Sequence, residues 1–491
     1  MKNKSNFSRR TFLGSLAGLG AASSLITNFF ARSTKSPAKK PASVRALSDV
    51  QLSQPNGLNL IVIISDTFRW DYLRFNGNER IHTPNLDRLA ADSVYFANCY
   101  ADGLPTIPAR RVMHTGKSIL ADRKKWRPLP SKDITLAALL GKAGFTTGFI
   151  VDTYHHFKPG MNFHQDFHSW EWIRGQENDK YRSGPREPIR PEAYTFSHLL
   201  NDRFRDRIIQ YILNTQERQT EDDYFCARSC SAAARWLEQN KDNAGPFMLF
   251  IDMFDPHEPW DAPPRFQSIY REHYPFERMI FGYGVDPRDV RKEDIPVLID
   301  LYSAEVTFMD HCIGKLIGRI KALGLYENTI IAFSTDHGTH LGEQGCVQKT
   351  AGLLNSCVAR VPLILYHPDK RFAGKRVDAL TSHIDFVPTF LSLLGVSGYE
   401  GMDGSNLWRL VTDEAQSIHE HVITGFGNFG AIRSPKWHYF QKVWGKDSGF
   451  GPALYDLESD PGELTNVVKQ QPQVVAKLKR KLAAAVDSKL D

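Results

Sequence analysis

An α/β fold with a mostly parallel central sheet flanked by helices, plus a small C-terminal α+β subdomain, is predicted from three features of this 491-residue chain. First, short and almost continuous apolar runs at residues 58–64, 247–254 and 329–333 read as buried strands, because a strand covered on both faces shows no polar alternation. Second, each run ends in side chains that carry chemistry: Ser65-Asp66, Asp255-Pro256-His257, and Ser334-Thr335-Asp336-His337. Ligands of open α/β sheets bind at the carboxyl ends of the strands, so three strands deliver Asp or His to one edge. Third, amphipathic stretches at residues 134–143 and 298–323, stopped by Gly144 and Gly324, supply helices between the strands.

The first strand is preceded by two segments of different texture. Ser8-Arg9-Arg10-Thr11-Phe12-Leu13-Gly14 leads into an uncharged run to Ala31, which resembles a twin-arginine export signal. Residues 1–31 are therefore read as that signal and residues 32–57, rich in Ser, Pro, Ala and Lys, as a flexible linker. The reading implies an exported, periplasmic or extracellular protein with no membrane association beyond the signal. A catalytic domain is expected over residues 58–400. Beyond it, over 401–491, short antiparallel strands around 431–433 and 436–440 and a closing charged helix suggest a second subdomain. Residues 160–172 and 266–288, aromatic and broken by Pro or Gly, read as loops over the sheet edge.

Charge excludes one class of partner. The chain carries a net +6, but nine Lys and Arg precede residue 46 with no acid among them, which leaves the folded part at about −3. Nothing in that balance supports nucleic-acid binding. The six cysteines show no Cys-x-x-Cys pair and no zinc spacing, and read as buried free thiols.

The stretch around which the chemistry gathers is Gly103-Leu104-Pro105-Thr106-Ile107-Pro108-Ala109-Arg110-Arg111, continuing to His114-Thr115-Gly116. Pro108 stiffens the turn that presents the Thr106 hydroxyl, and Arg110 follows one helical turn later. Asp66, Asp336 and His337 could hold one divalent cation through oxygen and nitrogen ligands. Thr106 would be the nucleophile, Arg110, Lys349 and His257 would surround the non-bridging oxygens of an ester, and His257 or His155 could protonate the leaving oxygen.

The Thr106 stretch resembles the sulfatase signature, a Cys or Ser followed by x-Pro-x-Arg. With Ser65-Asp66-Thr67-Phe68-Arg69, Thr83-Pro84-Asn85-Leu86-Asp87, Pro256-His257, Asp336-His337-Gly338, Ser382-His383-Ile384-Asp385 and Leu454-Tyr455-Asp456-Leu457, the chain is similar to sulfatases of the alkaline-phosphatase superfamily from Leu58 to Asn466. The resemblance implies an alkaline-phosphatase-like fold and hydrolysis of a small-molecule or carbohydrate anionic ester. It puts Asp66, Asp336 and His337 on metal-ligand positions for one cation, calcium first, with manganese or zinc as alternatives. It puts Thr106 on the nucleophile position and Arg110, His257 and Lys349 on substrate-oxyanion positions.

Two departures from the pattern bear on the reaction. Many sulfatases have paired aspartates where this chain has Ser65-Asp66, and the Asp336-His337 pair resembles the phosphonate-monoester-hydrolase branch. Sulfatases oxidise their Cys or Ser to formylglycine; oxidation of threonine would give a ketone, so formylglycine is not expected at Thr106. A sulfate-ester hydrolase and a phosphate mono- or diesterase that uses threonine both remain open. The spacing of Asp252, Asp255 and His257 shows no second metal site. A third reading is an exported binding protein that kept the fold and lost turnover.

Overall fold

The computed structural model describes residues 47–122, 126–445 and 450–486. The export signal expected over 1–31 and the first part of the linker lie outside the described residues. The last part of that linker rests against the body: Ser53 N donates to Ser397 O at 3.2 Å, and Leu47 and Leu52 pack on the core.

An eight-stranded sheet organises the chain, in the order Arg376–Ser382, Val94–Tyr100, Arg360–Tyr366, Thr329–Thr335, Asn59–Ser65, Phe247–Met253, Thr146–Val151 and Ser169–Trp172. Only Arg360–Tyr366 runs antiparallel to its neighbours; the other pairings are parallel. The α/β expectation holds, and the apolar runs explain it. Side chains alternate across a strand, so Ile61, Ile63, Leu249, Ile251, Ile331 and Phe333 fall in one buried cluster. Leu60, Val62, Ile64, Met248, Phe250, Ile330 and Ala332 fall in the other. The helices Phe225–Asn240 and Ile295–Ala322 cover the first face, while Thr106–Thr115, Leu136–Lys142 and Phe386–Leu393 cover the second. Both faces are dry, so neither could be polar.

Strand register sets the level of the site. Ser65 pairs with Met253 on one side and with Thr335 on the other, so Asp66, Phe254 and Asp336 leave the sheet side by side. The edge strand Ser169–Trp172 corrects the expectation of a loop over 160–172. Most of its residues are exposed, so it carries no buried apolar run to betray it.

The second sheet contains Val422–Phe426, Phe429–Arg433, Trp437–Lys442 and Ala453–Asp456, with the Pro472–Ala485 helix packed on it through Leu478 and Leu482. Its last strand comes from far upstream: Gly103-Leu104 pairs in parallel with Gly425-Phe426. The C-terminal sheet is thus fastened to the turn that presents Thr106. A Cβ at Gly103 would lie 2.4 Å from Ile119 Cδ1, so a larger residue there would displace the Ile119 side chain. Among the described residues no helix is long and apolar enough to cross a membrane.

Candidate active site

Thr106 opens the Thr106–Thr115 helix and is only 2% exposed, at the floor of a cavity of about 420 Å³. His257 and Lys349 line the same cavity. One turn beyond Thr106, Arg110 is fully buried. Its Nε and NH2 donate to the two oxygens of Asp252 at 3.0 and 2.8 Å, and its NH1 lies 3.1 Å from Asp66 Oδ2 and in contact with Asp336 Oδ2. Sequence reasoning put Arg110 on substrate oxygens. The structure places its guanidinium among the carboxylates of Asp66, Asp252 and Asp336.

Asp66, Asp336 and His337 come together as expected, with one ligand atom from each lying within 4.8 Å of the others. His337 Nδ1 donates to Gly338 O at 2.8 Å, since a carbonyl can only accept, and this leaves the Nε2 lone pair facing the carboxylates. Nε2 sits 3.3 Å from Asp336 Oδ2 and 4.0 Å from Asp66 Oδ1. His337 Nε2 and Asp66 Oδ2 are both buried without a hydrogen-bond partner. Unsatisfied buried atoms of this kind are costly unless something occupies the space between them, and two carboxylates with an unprotonated imidazole are the donor set of a divalent cation. The residues present therefore fit the metal.

Electrostatics agree. Burial pushes the Asp66 carboxyl up, but Arg110, His257, His337 and Lys349 outweigh it and hold the group well below the usual carboxylate range. Burial first, then Lys349, keeps the His337 ring neutral, the form that binds a metal. Burial and the neighbouring Asp66 charge push Asp336 the other way, up. Two adjacent buried carboxylates resist joint ionisation, and a cation between them removes that resistance.

The local backbone is built for this arrangement. Thr67 has a φ of 65°, rare for a β-branched residue. It is held there by Thr67 N donating to Asp336 Oδ1 at 2.9 Å, Thr67 Oγ1 donating to Asp66 Oδ1 at 2.6 Å, and Tyr302 OH donating to Thr67 O at 2.8 Å. Ser65 Oγ turns away, donating to Asp255 O, so Thr67 and not Ser65 accompanies Asp66 in the site. Gly338 is fixed by close approach, since a Cβ would lie 2.1 Å from Cys357 O.

Lys349 Nζ donates to Thr67 Oγ1 at 3.3 Å, which links the cavity floor to the Asp66 cluster. It also lies 3.6 Å from Glu258 Oε2. His257 Nδ1 donates to Glu258 O at 2.6 Å, with Glu258 Oε2 3.1 Å away. Glu258 is fully buried between His257 and Lys349, and neither of its carboxylate oxygens has a hydrogen bond. Sequence reasoning missed it, although its place beside His257 between two prolines was a signal. Asp252 was weighed only as part of a second metal site; an acid inside the apolar run Phe247–Met253 was the stronger cue. His155 lines the cavity and pairs with Glu177 at 3.3 Å, and burial pushes its ring pKa down.

A mostly parallel α/β sheet with two carboxylates and an imidazole gathered at its carboxyl edge, and a cavity lined by Thr106, His257 and Lys349, fits a metal-binding hydrolase of anionic esters in the alkaline-phosphatase superfamily. The chain belongs to the sulfatase family, which it matches over residues 58–396. Residues 342–488 also match the family described as N-sulphoglucosamine sulphohydrolase, C-terminal. The ulvan-active sulfatase of Formosa agariphila is 25% identical, over 89% of this chain and 83% of that protein. The phosphonate monoester hydrolase of Agrobacterium radiobacter superposes with a TM-score of 0.69 at 20% identity, over 87% of this chain and 95% of that one. A solved complex with its substrate D-glucosamine-2-N,6-O-disulfate superposes with a TM-score of 0.66 at 20% identity, over 89% and 97%.

Proposed function

We propose that this protein hydrolyses phosphate or phosphonate esters, mono- or diesters, with the Thr106 hydroxyl as nucleophile. The observation that carries the reading is the residue itself: the hydroxyl at the cavity floor belongs to a threonine, whose secondary alcohol cannot become an aldehyde. A covalent threonine ester must then be cleaved by water at phosphorus, and phosphoryl groups tolerate displacement at that centre. Family membership favours a second reading, sulfate-ester hydrolysis.

Asp66, Asp336 and His337 would hold one divalent cation, and that cation would supply Lewis acidity favouring the Thr106 alkoxide. The imidazole donor supports manganese or zinc over the calcium implied by the resemblance, because calcium prefers six to eight oxygen ligands. The chain's own residues do the rest. Thr106 Oγ1 forms a bond to phosphorus as the bond to the leaving oxygen breaks, and His257 gives that oxygen its proton. Lys349 balances charge on the non-bridging oxygens, while Arg110 holds Asp66 and Asp336 in place. Water then attacks phosphorus, the threonine oxygen leaves with a proton, and the sum is ester plus water to acid plus alcohol.

The test is turnover of nitrophenyl phosphate, phenylphosphonate, bis-nitrophenyl phosphate and nitrophenyl sulfate by manganese- or zinc-loaded protein, with Thr106→Ala and Thr106→Ser alongside. Phosphorus-ester turnover lost at least about 1000-fold in Thr106→Ala and retained in Thr106→Ser is expected. Preferred turnover of the sulfate ester would establish the second reading, and activity indifferent to Thr106→Ala would remove the nucleophile. No turnover of any ester by metal-occupied protein would point to a binding protein.

The Arg9-Arg10 segment supports export by the twin-arginine pathway to the periplasm or beyond. Cell fractionation of Arg9→Lys, Arg10→Lys double-variant protein should find it retained in the cytoplasm; unchanged export would refute the assignment.

A further inference from the structure

The cavity above Thr106 has a second cationic end. Arg203 and Arg207 are four residues apart on the Asp202–Thr215 helix, so they project from one face. Both guanidiniums stack on Tyr283, at 5.3 and 4.4 Å from the ring centroid, and Arg207 NH1 donates to Tyr283 O at 2.7 Å. Lys158, over the Tyr154 ring at 4.8 Å, lines the same cavity.

The two ends are one ring apart. Tyr283 meets the His257 ring edge-on with centroids 6.0 Å apart, so the tyrosine separates the His257 end of the cavity from the arginine pair. Its loop is pressed onto the helix by two glycines: a Cβ on Gly282 would lie 2.6 Å from Phe204, and one on Gly284 would lie 3.0 Å from Arg207 NH1. Tyr283 and the arginines are therefore placed by the fold and not by chance of rotamer.

Among the described residues no carboxylate lies within ion-pair distance of Arg203, Arg207 or Lys158, although ion pairs are frequent elsewhere on the chain. Among the described residues the one acid lining the cavity is Glu177; its Oε2 lies 3.3 Å from His155, and its charge acts on Arg207 only from beyond ion-pair distance. Arg207 is half-buried, and burial pushes its pKa down. A desolvated, unpaired guanidinium gains from any anion that reaches it, and guanidinium forks favour carboxylate, sulfate and phosphate alike.

We propose that Arg203 and Arg207, supported by Lys158, form a distal anion subsite, and that the substrate carries a second anionic group on its organic part, one aromatic ring's reach from the ester that is cleaved. The substrate then carries two separate anionic groups. The volume of about 420 Å³ fits one or two sugar or aryl rings between the ends, and Trp126, 43% exposed at the cavity wall, offers a face for stacking. The subsite deepens the ester-hydrolase reading and rests on it for the position of the cleaved bond, but not for binding.

Calorimetric titration of full-length, metal-loaded Thr106→Ala protein tests it without turnover. The probes are phenyl phosphate and phenyl sulfate, each compared with its 4-carboxyphenyl and 4-sulfophenyl derivative. The derivatives should bind at least about 10-fold more tightly than the parents, as expected for one charge-assisted pair. The advantage should collapse in Arg203→Gln/Arg207→Gln and invert in Arg203→Glu, an exposed position where folding is not at stake. The carboxylate and sulfonate arms separate the two anion types. Equal affinity of parent and derivative, an advantage that survives the double variant, or no binding of any probe would overturn the subsite. Loss of the ester-hydrolase reading would look different, with the charge advantage intact but no probe cleaved by the protein with Thr106 restored.

Discussion

Arg110 and Asp252 face each other as a fork, Nε to Oδ2 at 3.0 Å and NH2 to Oδ1 at 2.8 Å, with both side chains fully buried. The pair ties the Thr106–Thr115 helix to the strand Phe247–Met253, while the remaining nitrogen of the fork reaches Asp66 and Asp336. One guanidinium thus sets the distance between the helix that opens with Thr106 and the carboxylates of Asp66 and Asp336. A lysine has a single point of charge and cannot serve both. Arg110→Lys is expected to cost about 3 kcal/mol of stability, because removing one partner leaves buried carboxylates uncompensated. Urea unfolding checks this, and Asp252→Asn should be strongly non-additive with it in a double-mutant cycle. A cost under about 1 kcal/mol would show that the fork is not what joins helix to sheet.

Cation binding should be visible in stability without any assay of activity. His337 Nε2 and Asp66 Oδ2 are buried without a hydrogen-bond partner, so a bound divalent ion satisfies atoms that otherwise burden the fold. An ion at 100 times its dissociation constant stabilises by about 2.7 kcal/mol. Chelation should therefore lower the calorimetric unfolding temperature by a few degrees, manganese or zinc should restore it better than calcium, and Asp336→Asn should abolish the response. An Asp336→Asn variant that still responds would move the site elsewhere.

Asp66, Asp336 and His337 were legible in the sequence because a polar residue ending an apolar strand is marked by local pattern alone. The role of Arg110 was not, since its four-residue spacing from Thr106 says where the side chain starts but not which strand lies opposite. Asp252 faces it only through the register of two parallel strands far apart in sequence. Arg203 and Arg207 were invisible for the same reason on a larger scale: a charged i, i+4 pair is the ordinary look of a solvated helix face. Only the Gly282-Tyr283-Gly284 loop brings it to the cavity. The strand Ser169–Trp172 escaped because an exposed edge strand has no core face to pattern.

Acid should weaken the fold through the helix that carries Thr106. His114 is buried among Phe149, Phe163, Phe167 and Phe250, stacked on the last at 4.5 Å, and its Nε2 has no partner. Burial lowers its pKa from 6.5 to about 3, with His156 and Arg110 acting in the same direction and Asp252 opposing. Between those values the unfolded chain binds the proton that the folded chain refuses. The contribution to stability is therefore whole above pH 6.5 and is lost as pH falls toward 3, at up to about 1.4 kcal/mol per pH unit. Unfolding free energies at pH 7, 6 and 5 should fall less steeply for His114→Phe than for the parent. Parallel slopes would mean that His114 is not a source of acid sensitivity. His156, lowered to about 4, and His383, lowered to about 3, leave a residual slope in the variant.

Glu258 is the residue whose removal should separate positioning from folding. It is fully buried, 3.1 Å from His257 Nδ1 and 3.6 Å from Lys349 Nζ, and it is the one carboxylate paired with both. Its carboxylate faces His257 and Lys349, so it acts through those two side chains. Glu258→Gln keeps the shape and deletes the charge. The His257 ring stays fastened by its bond to the Glu258 backbone carbonyl, so the fold is expected to survive. Without the carboxylate, Lys349 and His257 lose the group that both of them face, and alignment at the leaving oxygen is lost. A 10- to 100-fold drop in kcat with little change in KM is the expected result, since misplacement of catalytic groups acts mainly in the transition state. The alkaline limb of the kcat profile should move as well, because the charge environment of the proton donor has changed. A variant with unaltered kcat and an unaltered profile would show that His257 and Lys349 keep their places without Glu258, and would return it to the packing of the core.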